Sequence, residues 1–196
     1  MAERRAHEER RTRETEVSVT LSLDGSGDAS VATGIGFFDH MLESLARHAH
    51  FDLLVRASGD LQVDSHHTVE DVAAVLGAAF AAALGERLGI ERFGHAVVPM
   101  DESQAAAAVD CSGRGLGVVK IALSGPGAGG IPASLLAHFF EVLARTAQIT
   151  LHLTAAGADD HHVAEAAFKA TARALREAVR RDPTVLGRAP STKGIL

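Results

Sequence analysis

Adjacent histidines followed three residues later by a glutamate occur twice in this chain. The first copy is His66-His67-Thr68-Val69-Glu70 and the second is His161-His162-Val163-Ala164-Glu165. Residues four apart on a helix share one face, so the first histidine and the glutamate of each copy could bind one divalent ion. Successive helical residues point about 100° apart, so His67 and His162 face away from that ion. Each copy is therefore expected to serve two metal ions.

The two copies together give a complete ligand count for two ions. The short helix predicted before each copy also carries a histidine, His40 in the first case and His138 in the second. One ion can then take His66, Glu70, His138 and His162, and the other can take His161, Glu165, His40 and His67. Three imidazoles and one carboxylate without a thiolate suit Mn, Fe, Zn, Co or Ni, and an octahedral preference would favour Mn.

Cationic and hydroxyl side chains in glycine-flanked or irregular segments could bind an anion. They are Arg92, Arg114 within Ser112-Gly113-Arg114-Gly115, and Ser191 and Lys193 within Ser191-Thr192-Lys193-Gly194. Any one of them alone is typical of a protein surface. Beside a two-metal centre, the set predicts a pocket for a phosphate group.

A repeated order of elements would position these residues. Apolar residues alternate with polar ones in the segment Val17–Leu23, as in a half-buried strand. Both halves of the chain read strand–strand–helix–strand–long helix, and a histidine pair opens each long helix. The predicted fold is α+β, with two pseudo-repeated halves, each a mostly antiparallel β-sheet packed on a short and a long helix. The predicted boundaries are a flexible arm over 1–12, half-repeats over 13–93 and 94–187, and a substrate-binding tail over 188–196, all in one catalytic domain.

Composition excludes several classes of function. The chain has 196 residues, of which 46% are hydrophobic, which is enough for one shared core. A formal net charge of -6 offers no basic field for nucleic acid or an anionic membrane. The single cysteine, Cys111, rules out an internal disulfide and indicates a reducing compartment, so a cytoplasmic location is expected.

Taken in order, the motifs resemble the imidazoleglycerol-phosphate dehydratase family. The resemblance covers nearly the whole chain after the basic arm. The matching motifs are Arg13-Glu14-Thr15, Gly34-Ile35-Gly36-Phe37-Phe38-Asp39-His40-Met41-Leu42, Asp64-Ser65-His66-His67-Thr68-Val69-Glu70-Asp71, Gly89-Ile90-Glu91-Arg92-Phe93-Gly94, Pro99-Met100-Asp101-Glu102, Asp110-Cys111-Ser112-Gly113-Arg114, His138-Phe139-Phe140, the second histidine pair with Phe168-Lys169, and Ser191-Thr192-Lys193-Gly194.

The resemblance implies a hydro-lyase of histidine biosynthesis. It would dehydrate D-erythro-imidazole-glycerol phosphate to imidazole-acetol phosphate with two Mn²⁺ per active site, held by the eight residues counted above. It would assemble from trimers into a 24-subunit shell with active sites at subunit interfaces. The implied substrate contacts are Glu14, Arg92, Arg114, Ser191 and Lys193, with His48 and Lys169 in stretches around the substrate; the metal ligands His40, His66, His67, Glu70, His161 and His162 border it as well.

The expected chemistry removes a carbon-bound proton and expels hydroxide from the neighbouring carbon. A substrate imidazole held as imidazolate between two metals could push the hydroxyl group out, while the basic residues clamp the phosphate. Glu14 is the candidate for proton shuttling, with Glu70 and Glu165 as metal-bound alternatives.

Two other classes of protein stay open from the residues alone. A two-metal phosphohydrolase also needs clustered ligands beside basic groups, although such sites usually rely on aspartates. A metal store or metal-assembled shell would need the histidines only as links between subunits.

Asp159 and Gly115 depart from the family pattern, which usually has Asn and Pro there, and so does the Arg145–Gln148 segment.

Overall fold

The computed structural model describes residues 3–185 and 187–192. Its first half contains four strands and two helices in a strand–strand–strand–helix–strand–helix order. They are β1 (Arg5–Arg11), β2 (Thr15–Ser22), β3 (Ala29–Ala32), α1 (Gly36–Ala49), β4 (Asp52–Gly59) and α2 (His66–Leu84).

The second half repeats the same order, with one short hairpin added before its first helix. Its elements are β5 (Phe93–Met100), β6 (Ser103–Asp110), β7 (Leu116–Ala122), the hairpin β8 (Gly127–Ala128) and β9 (Ile131–Pro132), α3 (Ala133–Thr146), β10 (Thr150–Ala156) and α4 (Asp160–Ala178).

Each half forms one four-stranded sheet with the same topology. The strand order is β1-β2-β4-β3 in the first sheet and β5-β6-β10-β7 in the second. In both sheets two of the three pairings are antiparallel, and the third, β3 with β4 or β7 with β10, is parallel. The prediction of two similar halves with mostly antiparallel sheets is therefore confirmed.

Alternation along the strands decides which side of each sheet is covered. In β2, Val17, Val19 and Leu21 are buried, while the residues between them face outward. In β6 the buried positions are filled by Ser103, Ala105, Ala107 and Val109. Because side chains alternate between faces with a period of two, each sheet has one face for helices and one facing away.

The helices of the two halves pack against each other as well as against their own sheets. Helix α1 contacts α4, and α2 contacts α3. At the centre, the Phe139 ring meets the edge of Phe38 at 5.4 Å and stacks on Phe168 at 5.0 Å. Helix α2 is long and apolar enough to cross a membrane by composition, but most of it is buried inside the fold, as in the core helix of a globular protein.

The prediction of a flexible arm over residues 1–12 is wrong for 5–11, which form strand β1. The prediction failed because this edge strand has no alternating apolar residues. It is held instead by its antiparallel pairing with β2 and by an ion pair between Arg10 and Asp71 on α2, with 2.9 Å between Nε and Oδ1. An edge strand needs only one ladder of hydrogen bonds, so a charged sequence can supply it.

Two of the departures from the family pattern have structural roles here. Asp159 caps α4, because its carboxylate accepts hydrogen bonds from the backbone N–H groups of His161 and His162 at 2.8 and 3.2 Å. At Gly115 an added Cβ would collide with the carbonyl oxygen of Arg145. Glycine lets the strand β7 start close to the end of α3.

Candidate metal centre and substrate site

The packing of α2 on α3 forms the first group of metal-ligating side chains. His66 and Glu70 lie one helical turn apart on α2, with 3.7 Å between Nε2 and Oε2. His138 on α3 brings its Nε2 to 3.1 Å from the other oxygen of Glu70. The rings of His66 and His138 stack at 5.7 Å. These three residues can each present one donor atom within 4.8 Å of the others, a spacing that would admit one ion.

The packing of α1 on α4 forms a second group with the same composition. His161 and Glu165 lie one turn apart on α4, with 3.3 Å between Nε2 and Oε2. His40 on α1 brings its Nε2 to 3.5 Å from the same oxygen. The donor atoms again lie within 4.8 Å of one another. The repeat therefore yields two matched groups, each with two imidazoles and one carboxylate.

Within one chain, the structure does not bring the fourth predicted ligand to either group. His67 points its Nδ1 at Asp60, 3.0 Å away, and its Nε2 lies 3.8 Å from Glu14. His162 points its Nδ1 at Glu102, 3.1 Å away, and its Nε2 lies 3.9 Å from Asp101. The histidines next to the two groups thus sit in acidic surroundings of their own.

These acidic surroundings shift the pKa values of both histidines and of one glutamate. The hydrogen bond with Asp60 raises the pKa of His67, and the one with Glu102 raises the pKa of His162. Hydrogen bonds from its own backbone N–H, from Ser103 and from His162 lower the pKa of Glu102 to about 2. Glu102 is therefore a carboxylate at any physiological pH.

The second group also has a cation beside it. Lys169 lies one turn after Glu165 on α4, with 2.8 Å between Nζ and Oε1. Burial alone would raise the pKa of Glu165, but Lys169 and His40 outweigh it, and the pKa is lowered. Burial, and then the charges of Lys169 and Arg173, lower the pKa of His48. An open cleft of about 410 Å³ lies here, lined among others by His40, His48, Glu165 and Lys169.

The candidate phosphate contacts converge at another place in the chain. Arg92 forms a two-pronged pair with Asp110, with bonds of 2.7 and 3.2 Å, and donates to the carbonyl oxygen of Pro190 at 2.8 Å. Arg114 lies 3.7 Å from the same carboxylate and is mostly exposed. Asp110 raises the pKa of Arg92, which stays charged. Arg92, Arg114 and the segment leading to Ser191 are thus together, while Lys193 lies outside the described residues.

The length of α4 separates this basic cluster from the second metal-ligating group. His161 lies in the first turn of the helix, whereas the N–H of Arg92 bonds to the carbonyl oxygen of Ala178 at its last residue. A helix of 19 residues spans roughly 28 Å. No single chain therefore brings its own Arg92 to its own His161.

The profile of the imidazoleglycerol-phosphate dehydratase family matches residues 33–175. The chain belongs to that family. Relatives named imidazoleglycerol-phosphate dehydratase include one from Methanoculleus marisnigri, 55% identical over 95% of this chain and 96% of that protein, and one from Acidiphilium cryptum, also 55% identical with the same coverage.

Solved structures of the family have the same fold. The enzyme from Staphylococcus aureus has a TM-score of 0.81 at 30% identity, covering 90% of this chain and 99% of its own. The enzyme from Pyrococcus furiosus, in complex with (S)-C348, has a TM-score of 0.81 at 33% identity, covering 96% and 99%. With this membership, the chain is a hydro-lyase of histidine biosynthesis, as the motifs implied.

Several charged contacts in this dehydratase fold were not predicted from its sequence. Asp60 and Glu102 each hold a histidine, yet neither was given a role. Asp101 and Glu102 form a third group with His162 whose donor atoms lie within 4.8 Å of one another. Glu102 lies in the Pro99-Met100-Asp101-Glu102 motif of the family resemblance, which carried no role for it. The other sequence signal was position: Asp60 follows the last residue of β4, and Asp101-Glu102 form the turn between β5 and β6. Carboxylates at strand ends are common, so that signal is weak.

Proposed function

We propose that this chain dehydrates D-erythro-imidazole-glycerol phosphate to imidazole-acetol phosphate, using two divalent ions that we take to be Mn²⁺. The observation that carries the proposal is the pair of matched groups, His66–Glu70–His138 and His40–His161–Glu165. A phosphohydrolase or a metal store would not explain why both groups accompany the family's full set of motifs.

The donor chemistry of the groups fits such ions. All six side chains offer nitrogen or oxygen atoms, which suit Mn²⁺ and similar ions. The only thiol of the chain, Cys111, does not compete, because burial raises its pKa to about 12 and keeps it protonated. When bound, the two ions would act as Lewis acids toward the substrate's imidazole ring and favour its imidazolate form.

We infer that the fourth ligand of each group comes from another copy of the chain. His67 and His162, whose side chains are 35% and 28% exposed, stay outside the two matched groups of their own chain. The distance along α4 between His161 and Arg92 supports the same conclusion for the phosphate contacts Arg92, Arg114 and Ser191. An active site would then combine residues of several subunits, as in a 24-subunit shell built from trimers.

The outer face of the second sheet supports self-association. In the second sheet the exposed residues include Phe93, Val97 and Leu116, each more than half exposed. The corresponding face of the first sheet carries charged residues such as Arg5, Glu9 and Arg11. Large apolar side chains exposed on one face of a sheet favour burial against another chain. We expect Val97→Lys to lower the mass of the assembly in analytical ultracentrifugation, with Thr20→Lys on the other sheet as the control that leaves it unchanged.

Side chains of the protein would bind the phosphate and transfer the proton. Arg92, Arg114 and Lys193 would hold the phosphate and so fix the reacting carbons. The reaction moves one proton from C2 and releases hydroxide from C3 as water, leaving an enol that becomes the ketone. Glu14, 3.8 Å from His67 Nε2 and half-exposed, is the proposed proton carrier, with Glu70 and Glu165 as alternatives. The composition fits a cytoplasmic enzyme.

One experiment tests the proposal. Metal is removed with a chelator, and imidazole-glycerol phosphate is added before and after Mn²⁺ is restored. We expect imidazole-acetol phosphate to form only with the metal, at two ions per chain. Release of inorganic phosphate instead of the ketone would identify a phosphohydrolase, and binding of metal without turnover would identify a store.

A further inference from the structure

Two carboxylates that are not themselves in the matched groups hold the histidines expected to be their fourth ligands. Both oxygens of Asp60 approach Nδ1 of His67, at 3.0 and 3.2 Å. Both oxygens of Glu102 approach Nδ1 of His162, at 3.1 and 3.2 Å. In both contacts the carboxylate lies within hydrogen-bond distance of Nδ1, not of Nε2.

This contact determines which nitrogen is free to bind a metal. A neutral imidazole carries a hydrogen on one nitrogen and a lone pair on the other. A carboxylate accepts hydrogen bonds and does not donate them, so it favours the form with hydrogen on Nδ1. Nε2 then presents its lone pair on the far side of the ring. Metal-binding histidines commonly have such a carboxylate behind them.

Local structure fixes the position of each carboxylate. Oε1 of Glu102 accepts from the Ser103 hydroxyl at 2.9 Å and from the backbone N–H of Asp159 at 3.2 Å. Asp60 begins a tight turn, in which the N–H of Val63 bonds to its carbonyl oxygen at 2.7 Å, and its side chain is only 18% exposed. Neither carboxylate is a freely rotating surface group.

Close approaches at two glycines make both contacts possible. A Cβ at Gly59 would collide with the hydroxyl of Thr68, and one at Gly157 would collide with the hydroxyl of Ser103. Without side chains there, the end of β4 lies against the start of α2, and the β5–β6 turn lies against the start of α4. Each glycine thus lets a carboxylate reach the second histidine of its pair.

The two contacts arise from different places in the repeat. Asp60 comes from the loop between β4 and α2, in the same half as His67. Glu102 comes from the β5–β6 turn, whose counterpart in the first half is the β1–β2 turn with Glu14. The same contact has therefore been built twice from non-equivalent positions. If the contact were only a consequence of the repeat, it would come from equivalent positions in the two halves.

We propose that Asp60 and Glu102 are positioning residues for metal binding: each fixes the hydrogen of its histidine on Nδ1 and directs Nε2 toward the divalent ion. The proposal rests on the proposed metal role of His67 and His162. Asp60 acts on the ion bound by His40, His161 and Glu165. Glu102 acts on the ion bound by His66, Glu70 and His138.

The test measures Mn²⁺ affinity directly, by competition with a chelator on metal-stripped full-length protein. Asp60→Ala and Glu102→Ala are each expected to weaken one of the two ions by about 10–100-fold. Asp60→Asn and Glu102→Gln keep a neutral acceptor, which bonds more weakly than a carboxylate, so we expect a loss of only several-fold. Glu16→Ala removes an exposed carboxylate from the outer face of β2 and should leave both affinities unchanged.

A second comparison separates positioning from a general structural role. In a His67→Ala background, Asp60→Ala should cause no further loss of affinity, because its effect passes through the missing ring. The same holds for Glu102→Ala in a His162→Ala background. Additive losses would show that the carboxylates act in another way and would overturn the proposal.

The remaining outcomes are also decisive. Wild-type affinity in Asp60→Ala and Glu102→Ala, together with metal loss in His67→Ala, would overturn the positioning role alone. Wild-type affinity in His67→Ala would instead overturn the metal assignment under it. If an alanine variant fails to fold, the Asn and Gln variants decide: a several-fold loss supports positioning, and unchanged affinity refutes it.

Discussion

The two halves of this dehydratase carry the same candidate metal-ligating motif in different electrostatic settings. Glu165 has a side chain only 9% exposed and an ion pair with Lys169. Glu70 has a side chain 37% exposed, and the residue one turn after it is Ala74 instead of a lysine. The repeat has kept the ligands and changed what surrounds them.

At the residue directly after each glutamate, the first half is charged and the second half is apolar. In the first half Asp71 follows the glutamate, accepts a hydrogen bond from Thr15 and pairs with Arg10. In the second half that position is Ala166, which is buried. In the first half the additional charged residue, Asp71, attaches β1 and β2 to α2. In the second half the additional charged residue, Lys169, lies beside Glu165. In the second arrangement a cation, Lys169, lies next to the site.

The largest effect expected from this comparison follows removal of the two glutamates. Glu70→Ala and Glu165→Ala should each lower turnover by about 10³-fold, since a bound metal supplies several kcal/mol of stabilisation. Their effects on folding should differ. In metal-stripped protein, Glu165→Ala leaves Lys169 unpaired, so its free energy of unfolding should fall by about 1–3 kcal/mol more than that of Glu70→Ala.

Steady-state kinetics and urea denaturation of metal-stripped protein check both statements. Glu16→Ala, a change on the outer face of β2 away from the metal-ligating groups, controls for loss of a negative charge. Equal unfolding free energies for the two glutamate variants would mean that burial beside Lys169 makes no difference to folding.

Local spacing made part of the site predictable. The pairs His66–Glu70 and His161–Glu165 follow from helical geometry alone, and the repeat pointed to His138 and His40 as their neighbours. The alternation of Val17, Val19 and Leu21 was enough to identify β2. These features depend on residues close in sequence or on equivalence between the halves.

The rest depends on contacts that sequence spacing does not encode. Strand β1 was missed because its attachment to α2 is polar and comes from Asp71. The carboxylates Asp60 and Glu102 reach their histidines only because Gly59 and Gly157 permit a close approach. The separation of Arg92 from His161 follows from the orientation of α4. Such facts require the packing of elements to be known.

A smaller effect is expected at Asp71, and it concerns the first half only. Asp71→Ala removes the acceptor for Thr15 and the partner of Arg10 at a largely buried carboxylate. The free energy of unfolding should fall by about 1–3 kcal/mol, because a buried donor loses its partner. In the second half, Ala166→Asp should also destabilise, since a carboxylate would be buried there without a partner.

Chemical denaturation measures these changes, and hydrogen exchange localises the first of them. Amides of β1 should lose protection in Asp71→Ala while those of β5 keep theirs. A uniform loss over both sheets would argue that Asp71 supports the whole core instead of one strand.

The smallest expected effect is a pH-dependent one at Asp52, at the start of β4. Burial raises the pKa of Asp52, but hydrogen bonds from the backbone N–H groups of Ser26, Asp28 and Gly27 outweigh it and bring the pKa below the ordinary 3.8. A depressed carboxylate pKa stabilises the fold above the ordinary value, and that contribution is lost as the pH falls through the folded-state pKa.

Asp52→Asn should therefore unfold more readily than the wild type at pH 7, by less than Asp71→Ala does. The difference should shrink as the pH falls below 3.8. In the second half, Asp160 holds Ser124 and Gly125 in the same way, with a lowered pKa for which the Ser124 backbone bond is the main cause. Asp160→Asn should show the same trend in urea titrations at several pH values. In both halves a carboxylate accepts hydrogen bonds from the backbone N–H groups of a loop, and these bonds lower its pKa. A pH-independent difference at either position would show that these bonds act through shape and not through charge.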